Sequence, residues 1–371
     1  MCKLGEAPLV KEILLEKLRE QILPLRSDSY IRIPSERTLS EQFSVSRLSI
    51  RAALKELTSE GLLVQMQGKG TYITPLVKMC SLSLIGSPDI KPNDPFYNKF
   101  LVEITNEAAK RSFNLNMVDI DKPVPGQSGS PLIIMGLLEN SILESLSALY
   151  SPVITIQEYP WLQDITQISF DDYKIGCDAA RILFEHNHTR ILHLAGPEKY
   201  PSAFFRKKGL LDAAEKLGIH VDTITDKMNW AGGYKLGELY CQKLAKVNSP
   251  TAVFAANDWM AAGFMKRLQE SGFSIPADIS VLGCDNIPLS AEYSPAISTF
   301  DLDMRQLISE IFSVLEDSPT VSHGNSQGKS HTASPESLTK LTAPPRGKRI
   351  MLPATPILRK SIKKCPNEII K

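Results

Sequence analysis

The chain has 371 residues, of which 43% are hydrophobic, and its formal net charge is +1 at pH 7. No stretch approaches the roughly 18 apolar residues that a membrane-spanning helix needs, and residues 1–10 lack the apolar segment of a signal peptide. The length exceeds that of one small domain, and the hydrophobic content is ample for a core. We therefore expect a protein of two or three domains that is not inserted in a membrane.

The six cysteines are widely scattered, without a CxxC pair and without a histidine at ligand spacing. This pattern favours neither a disulfide framework nor structural zinc. It is typical of a protein in a reducing cytoplasm, and we expect no metal and no cofactor.

The small net charge conceals a segregation of charge along the chain. Residues 1–78 hold 12 Lys and Arg against 9 Asp and Glu, or +3, and residues 346–371 hold 8 against 1, or +7, which leaves −9 for the residues between them. An acidic middle argues against non-specific wrapping of nucleic acid by the larger part of the chain. The basic C-terminal end is expected to be a solvated tail.

The first predicted elements in chain order are two short helices. Ser35 is placed to cap a helix over residues 36–43, because its hydroxyl can accept an unsatisfied backbone N–H, and Ser46 is placed to cap a second helix over residues 47–59. The apolar residues of the second helix fall at the spacing of a buried face, namely Ile50, Ala53, Leu54 and Leu57.

Two short strands follow, over residues 62–66 and 71–74, joined by Gln67-Gly68-Lys69-Gly70. Glycines allow such a turn to approach another molecule closely, and Lys69 can pair with a phosphate. Two helices followed by a Gly-tipped hairpin predict a winged helix-turn-helix domain.

A basic stripe lies beside the predicted buried face of the second helix. Arg47, Arg51 and Lys55 recur every four residues and therefore share one side of the helix. Arginine at the first turn of such a helix can bind guanine edges or phosphates in a major groove. The alternative for any one of these residues is an ordinary solvated face. The combination favours a DNA-binding role.

The same residues resemble the GntR family of bacterial regulators. The matching segments are PSER at 34–37, VSR at 45–47, IRAAL at 50–54, EGL at 60–62 and GKGT at 68–71. The resemblance covers about the first 75 residues and implies that the DNA contacts include Arg37, Arg47, Ser49, Arg51 and Gly68. Ala52 departs from the family's usual Glu.

From residue 81 onward, short apolar strands alternate with amphipathic helices. Predicted strands include residues 81–85, 115–120, 132–135, 190–194, 252–255 and 280–282. Strands separated by helices predict an α/β fold of parallel, doubly wound sheets, whose ligands bind at the carboxyl ends of the strands.

Polar and aromatic side chains stand after several of these strands. Carboxylates, amides and arginine suit the hydroxyls of a sugar, and aromatic faces suit its C–H surfaces. Asp and Asn in such places can equally be helix caps. The candidate ligand-binding residues are Phe96, Tyr97, Asp171, Arg206, Trp230, Asn257 and Asp285.

A second resemblance, over residues 80–316 and 346–362, is to the effector domain of LacI/GalR repressors. It is carried by PTAVFAAND at 250–258, IPADISVLGCD at 275–285 and RIMLPATPILRKS at 349–361. It implies two lobes joined by three crossovers, near residues 186–189, 284–298 and 343–352. By it, Arg206, Asn257 and Asp285 bind hydroxyls and Trp230 and Phe96 stack on the ligand.

The expected organisation is a winged helix at 1–75, a linker at 76–80 and an effector domain at 81–371. Within it, the first lobe is expected at about 81–186 and 298–345, the second at about 189–284, and a C-terminal strand at about 349–358. The family usually has a helix where only residues 121–130 stand, and residues 318–340 resemble a disordered insertion. A hinge helix before the effector domain has no counterpart.

These features favour a homodimeric transcription regulator, a repressor by resemblance, that binds pseudo-palindromic operator DNA under control of a small sugar. The alternative is a DNA-binding dimer whose cleft is degenerate and binds no sugar. No catalytic motif is present in the sequence, so an enzyme is not expected.

Overall fold

The computed structural model describes residues 6–27, 29–75, 80–121, 130–244, 249–318 and 347–366. The chain divides into two compact units, Met1–Met79 and Cys80–Lys371. No helix within the described residues is long and apolar enough to cross a membrane.

The first unit contains three α-helices and a small antiparallel sheet among its described residues. The elements are α1 (Glu6–Ile22), β1 (Ile31–Arg32), α2 (Glu36–Phe43), α3 (Arg47–Ser59), β2 (Leu63–Met66) and β3 (Gly70–Ile73). The strand order β1-β3-β2 makes the predicted hairpin part of a larger sheet. Helix α1 and strand β1 were not predicted, whereas α2 and α3 have the predicted bounds.

Local chemistry explains the two helix starts. The hydroxyl of Ser35 accepts from the amide of Thr38 at 3.2 Å, and the hydroxyl of Ser46 accepts from the amide of Ser49 at 3.1 Å. Helix α2 ends at Ser44, whose φ of 53° is in the left-handed region. The predicted buried face of α3 is confirmed, and it packs with residues of α1 and the sheet in one core.

The second unit has two lobes, each built on a parallel sheet. The strands of the first lobe are β4 (Cys80–Gly86), β5 (Phe113–Met117), β6 (Leu132–Met135), β7 (Val153–Thr155), β8 (Thr166–Phe170) and β14 (Arg349–Leu352). They form one sheet in the order β14-β8-β7-β6-β4-β5. Its helices are α4 (Pro95–Lys110), α5 (Asn140–Leu149) and α11 (Met304–Glu316).

The strands of the second lobe are β9 (Arg190–Ala195), β10 (His220–Thr225), β11 (Ala252–Ala255) and β12 (Ser280–Leu282). They form one sheet in the order β10-β9-β11-β12. Its helices are α6 (Asp172–Glu185), α7 (Pro201–Leu217), α8 (Trp230–Leu239), α9 (Asp258–Glu270) and α10 (Pro288–Glu292), and a π-helical turn (Tyr240–Leu244) continues α8. The α/β class with two parallel sheets is confirmed, but strands β8 and β10 were not predicted.

Helices α6 and α7 pack with their backbones in close contact, which assigns α6 to the second lobe. A Cβ placed on Gly176 would overlap the carbonyl of Arg206, and one placed on Gly209 would overlap the carbonyl of Tyr173. The first crossover therefore lies at residue 171, between β8 and α6. The prediction that this crossover lies at residues 186–189 was wrong, because the chain passes from the first lobe to the second before α6 begins.

The other two crossovers also lie later than predicted. They run through β13 (Thr299–Asp301) and β15 (Thr355–Ile357), which pair antiparallel. The predicted positions were residues 284–298 and 343–352. The reason is long-range pairing: Gly283 donates to Ser298 within the second lobe, and residues 349–352 form an edge strand parallel to β8 in the first. The predictions for residues 121–130 and 318–340 are not addressed, because residues 122–129 and 319–340 lie outside the described residues.

Candidate functional site

The basic side of helix α3 is exposed, but its arginines differ in their partners. Arg51 donates to Glu36 through Nε at 3.1 Å and Nη2 at 2.7 Å, and this ion pair lowers the pKa of Glu36. Arg37 on α2 pairs with Glu41 at 3.0 Å. Arg47 and Lys55 are exposed and have no ion pair within the described residues. These two cations are therefore immediately available to an anionic partner.

Ser49 has a local structural role in addition to its predicted contact. Its amide donates to Ser46, and its hydroxyl lies 2.8 Å from the hydroxyl of Ser46. Beside it, Leu48 is 77% exposed. A large apolar side chain among exposed polar residues is available for contact with a partner.

The wing joins β2 to β3 through Gly68 and Lys69, both exposed. Gly68 and Gly70 have φ values of 74° and 115°, in the left-handed region that favours glycine. The guanidinium of Arg32 lies over Gly70, with Nε 3.1 Å from the position that a Cβ would occupy. Sequence reasoning missed Arg32, since its place beside the wing depends on the pairing of β1 with β3.

A cavity of about 470 Å³ lies between the two lobes of the second unit. Five of the seven predicted ligand-binding residues line it, namely Phe96, Tyr97, Arg206, Asn257 and Asp285. The volume is within the range of small-molecule sites. Lining residues that were not predicted include Asp94, Gln157, Glu158, Asp172, Lys199 and Trp259.

Arg206 is a buried residue of the cavity lining, and its guanidinium has three polar contacts. Its Nε donates to Asp172 Oδ1 at 2.7 Å, and its Nη1 donates to the carbonyl of Ala256 and lies 3.4 Å from Asp285 Oδ1. Burial raises the pKa of Asp172, and it raises the pKa of Asp285 to about 7, although Arg206 opposes both shifts. A buried charge without such partners would be strongly destabilising, so the three side chains act as one unit.

The aromatic wall comes from the first turn of α4. The rings of Phe96 and Tyr97 are edge-to-face with centroids 5.3 Å apart, and Tyr97 accepts a hydrogen bond from Gln157 at 3.1 Å. The carboxylate of Asp94 caps this helix, because its Oδ1 accepts hydrogen bonds from the backbone amides of Phe96 and Tyr97. These contacts fix a rigid apolar surface next to polar groups.

Asn257 combines two roles that the sequence could not separate. Its carbonyl oxygen caps α9 by accepting from Met260 at 2.9 Å, and its amide nitrogen donates to the carbonyl of Met228 at 3.1 Å. The residue also lines the cavity. It therefore positions two segments of the second lobe at the site.

Two predicted residues do not line the cavity. Asp171 caps α6 by accepting from Lys174 at 2.9 Å, and its neighbour Asp172 faces Arg206 instead. Trp230 packs on the core of the second lobe, with its ring centroid 6.4 Å from that of Tyr293. Trp259 provides a tryptophan in the lining.

The described architecture is a winged helix-turn-helix unit followed by a two-lobed unit of the periplasmic-binding-protein type. Residues 11–73 match the profile of bacterial regulatory proteins of the gntR family, and residues 180–361 match that of the periplasmic binding protein-like domain. The chain therefore combines a gntR-family module with a periplasmic binding protein-like domain.

Individual relatives agree with this assignment. Over 232 residues, 58% of this chain, it is 28% identical to the HTH-type transcriptional repressor CytR of Escherichia coli K12. Over 143 residues, 38% of this chain, it is 34% identical to the HTH-type transcriptional repressor PurR of Vibrio vulnificus. It spans 66% of CytR and 42% of PurR, less than two thirds of each.

Solved structures share the fold of the larger unit. A LacI transcriptional regulator from Bacillus cereus subsp. cytotoxis has a TM-score of 0.62 at 21% identity, covering 78% of this chain and 100% of its own. A LacI family regulator from Enterococcus faecalis, solved with bound ribose, has a TM-score of 0.60 at 22% identity, covering 77% of this chain and all of its own.

Proposed function

We propose that the protein is a DNA-binding transcription regulator, a repressor, whose operator binding is controlled by a small polyhydroxylated effector. The observation that carries the proposal is the presence in one chain of an exposed basic helix with a glycine-tipped wing and a polar cavity between two lobes. Relatives named as transcriptional repressors and a fold relative solved with ribose support it.

On the DNA side, the exposed cations of α3 and the wing bind the duplex. Arg47 and Lys55 are available at once, and Arg51 exchanges its ion pair with Glu36 for phosphate or guanine contacts. Arg37, Ser49, Gly68 and Lys69 complete the contacts expected from the GntR resemblance.

On the effector side, the lobes close on a ligand held by side chains from both. Asp172 orients Arg206, and Arg206, Asn257 and Asp285 meet hydroxyl groups, while Phe96 and Trp259 supply apolar walls. A homodimer would place two winged helices on a pseudo-palindromic operator, and closure of the lobes would change the spacing between them. The effector then alters DNA affinity, and DNA alters effector affinity by the same factor.

Selection of binding sites from a random duplex library tests the DNA function. We expect a pseudo-palindromic consensus with the full chain and loss of specific binding with Arg47→Ala or Arg51→Ala, without a large loss of thermal stability. Equal loss of folding and binding in both variants would contradict the assignment of these arginines. The stoichiometry of the protein–operator complex tests the dimer.

Calorimetric titration with a panel of mono- and disaccharides tests the effector function. A sugar that binds the full chain, binds less tightly to Asn257→Ala and changes operator affinity would support the proposal. The absence of heat from every sugar would favour the alternative, a DNA-binding regulator with a degenerate cleft.

A further inference from the structure

The cavity between the lobes holds more carboxylates than its buried cation can balance. Asp94 and Glu158 reach it from the first lobe, Asp172 and Asp285 reach it from the second, and Arg206 is buried among them. Four carboxylates against one guanidinium give this group a formal charge of −3 when all are ionised.

Several of these carboxylate oxygens lack a hydrogen-bond donor in the described part of the chain. Asp94 uses Oδ1 to cap α4, and no donor for its Oδ2 is found among the described residues. Glu158 lines the cavity, half-buried, and accepts no hydrogen bond from the part of the chain that the structure describes. The site therefore presents acceptors that a ligand must satisfy.

The cations at the cavity do not neutralise the negative charge of these carboxylates. Arg206 is committed to Asp172, to the carbonyl of Ala256 and to Asp285. Lys199 is paired with Asp89 at 2.6 Å. Lys91 and Lys227 also line the cavity, but both are exposed, so solvent screens their charges. Arg349 lowers the pKa of Glu158 electrostatically, but its Nη2 donates to backbone carbonyls and forms no ion pair with Glu158 among the described residues. The interior remains acidic.

Burial makes this acidity costly. It raises the pKa of Asp94, Glu158, Asp172 and Asp285, because removal from water disfavours the charged form of each carboxyl. A cation brought into the cavity would relieve this cost, whereas a second anion would increase it.

We propose that the effector is a polyhydroxylated amine, such as an amino sugar, whose ammonium group is attracted into the cavity by the carboxylates of Asp94 and Glu158 while its hydroxyls face Arg206 and Asp285. This inference rests on the proposed function, since it takes the cavity as the effector site. It goes further in naming the charge of the ligand, and it excludes sugar acids and sugar phosphates as effectors. The aromatic residues Phe96 and Trp259 suit the C–H faces of such a ring.

Matched series of ligands test the inference with the full-length protein. Calorimetry at pH 7.5 would compare a hexose, its 2-amino-2-deoxy derivative and its uronate in the gluco, galacto and manno series. We expect the amine of one series to bind about tenfold more tightly than the neutral sugar, since charge-assisted hydrogen bonds are roughly twice as strong as neutral ones, and we expect no binding of the uronates.

Substitutions test whether Glu158 and Asp94 cause the preference for the amine. Glu158→Gln should remove most of the preference for the amine over the neutral sugar. It should also raise the melting temperature of the ligand-free protein, because partial burial disfavours the charged form of this carboxyl and the substitution removes the charge. Asp94→Asn retains the helix cap and should act in the same direction. Glu198→Gln is the matched control, since Glu198 is exposed, pairs with Lys207 and lies outside the cavity lining.

The outcomes distinguish this inference from the proposed function. Tighter binding of a neutral sugar or a uronate overturns the inference and leaves the effector function in place. Equal loss of amine binding in Glu158→Gln and Glu198→Gln also overturns it. If no member of any series binds, the inference fails, and the wider panel of mono- and disaccharides then decides the effector function separately.

Discussion

Asp89 in the first lobe and Lys199 in the second form an ion pair across the mouth of the cleft, with Lys199 Nζ 2.6 Å from Asp89 Oδ2. The hydroxyl of Tyr200 donates to the same carboxylate oxygen at 3.0 Å. The hydrogen bonds from Lys199 and Tyr200 lower the pKa of Asp89. Besides the three covalent crossovers, the lobes are thus joined by this non-covalent contact.

Asp89→Asn should open the ligand-free cleft, because it removes the negative charge that both partners bind. Hydrogen exchange should become faster in residues 87–94 and 197–202. Since the pKa of Asp89 is lowered, its contribution is present above the ordinary carboxyl pKa and is lost as the pH falls through the folded value. Wild-type exchange in these segments should therefore approach that of the variant in acid.

Asp212→Asn is the matched control for this experiment. Asp212 accepts from Lys208 at 2.5 Å and from Tyr173 at 3.0 Å, so it has the same kinds of partner, but all three residues lie in the second lobe. Its replacement should not change exchange at the cleft. Equal acceleration in both variants would show that Asp89 does not link the lobes.

Removal of Arg206 should destabilise the fold strongly. Arg206→Ala leaves the carboxylates of Asp172 and Asp285 buried without their cation, and breaking a buried ion pair on one side costs about 3–5 kcal/mol. Thermal unfolding measures the loss. The double variant Arg206→Ala with Asp172→Asn should recover part of it, because one uncompensated charge is gone. A double variant as unstable as the sum of the single changes would contradict the coupling.

Glu36→Gln should strengthen DNA binding. The substitution frees Arg51 from its ion pair and removes a negative charge beside α3, so the affinity for a random-sequence duplex should rise and its salt dependence should steepen. Fluorescence anisotropy at several salt concentrations measures both. The control is Glu60→Gln, which breaks the exposed pair with Arg19. A larger gain in the control would show that Arg51 does not reach DNA.

Gly70→Ala and Gly68→Ala should weaken DNA binding in different ways. Both positions have positive φ, but only a Cβ at Gly70 meets the guanidinium of Arg32, while a Cβ at Gly68 meets nothing within 4 Å. If Arg32 contacts a phosphate beside the wing, Gly70→Ala and Arg32→Gln should each reduce the salt slope of binding by about 0.9. Gly68→Ala should leave the slope unchanged, and slopes that are equal in all three variants would exclude Arg32.

The sequence was most informative where local patterns determine structure. Serine caps and the spacing of apolar residues located α2 and α3 to the residue, and apolar runs located most strands. Asp171 and Asp172 show the limit of such reasoning. They are adjacent and chemically identical, and only the packing of α6 against α7 decides that one caps the helix and the other binds Arg206.

The crossovers depended on contacts that no local pattern contains. Residues 186–189 look like a boundary because α6 ends there, but the glycine contacts between α6 and α7 move the boundary to residue 171. The acidity of the cavity could not be predicted from the sequence for the same reason. Asp94 and Glu158 are separated from Asp172 and Asp285 in sequence and share a cavity only after the lobes have met.

Asp285 makes the pH dependence of stability a direct test of the cavity's electrostatics. Burial raises its pKa to about 7, so the folded state binds a proton that the unfolded state has released at any pH between the ordinary carboxyl pKa and 7. Stability should therefore fall as the pH rises through this window and become constant above it. Asp285→Asn keeps the shape without the charge and should flatten this part of the melting-temperature profile between pH 4.5 and 7.5. A profile parallel to that of the wild type would show that burial does not disfavour the charged form of Asp285.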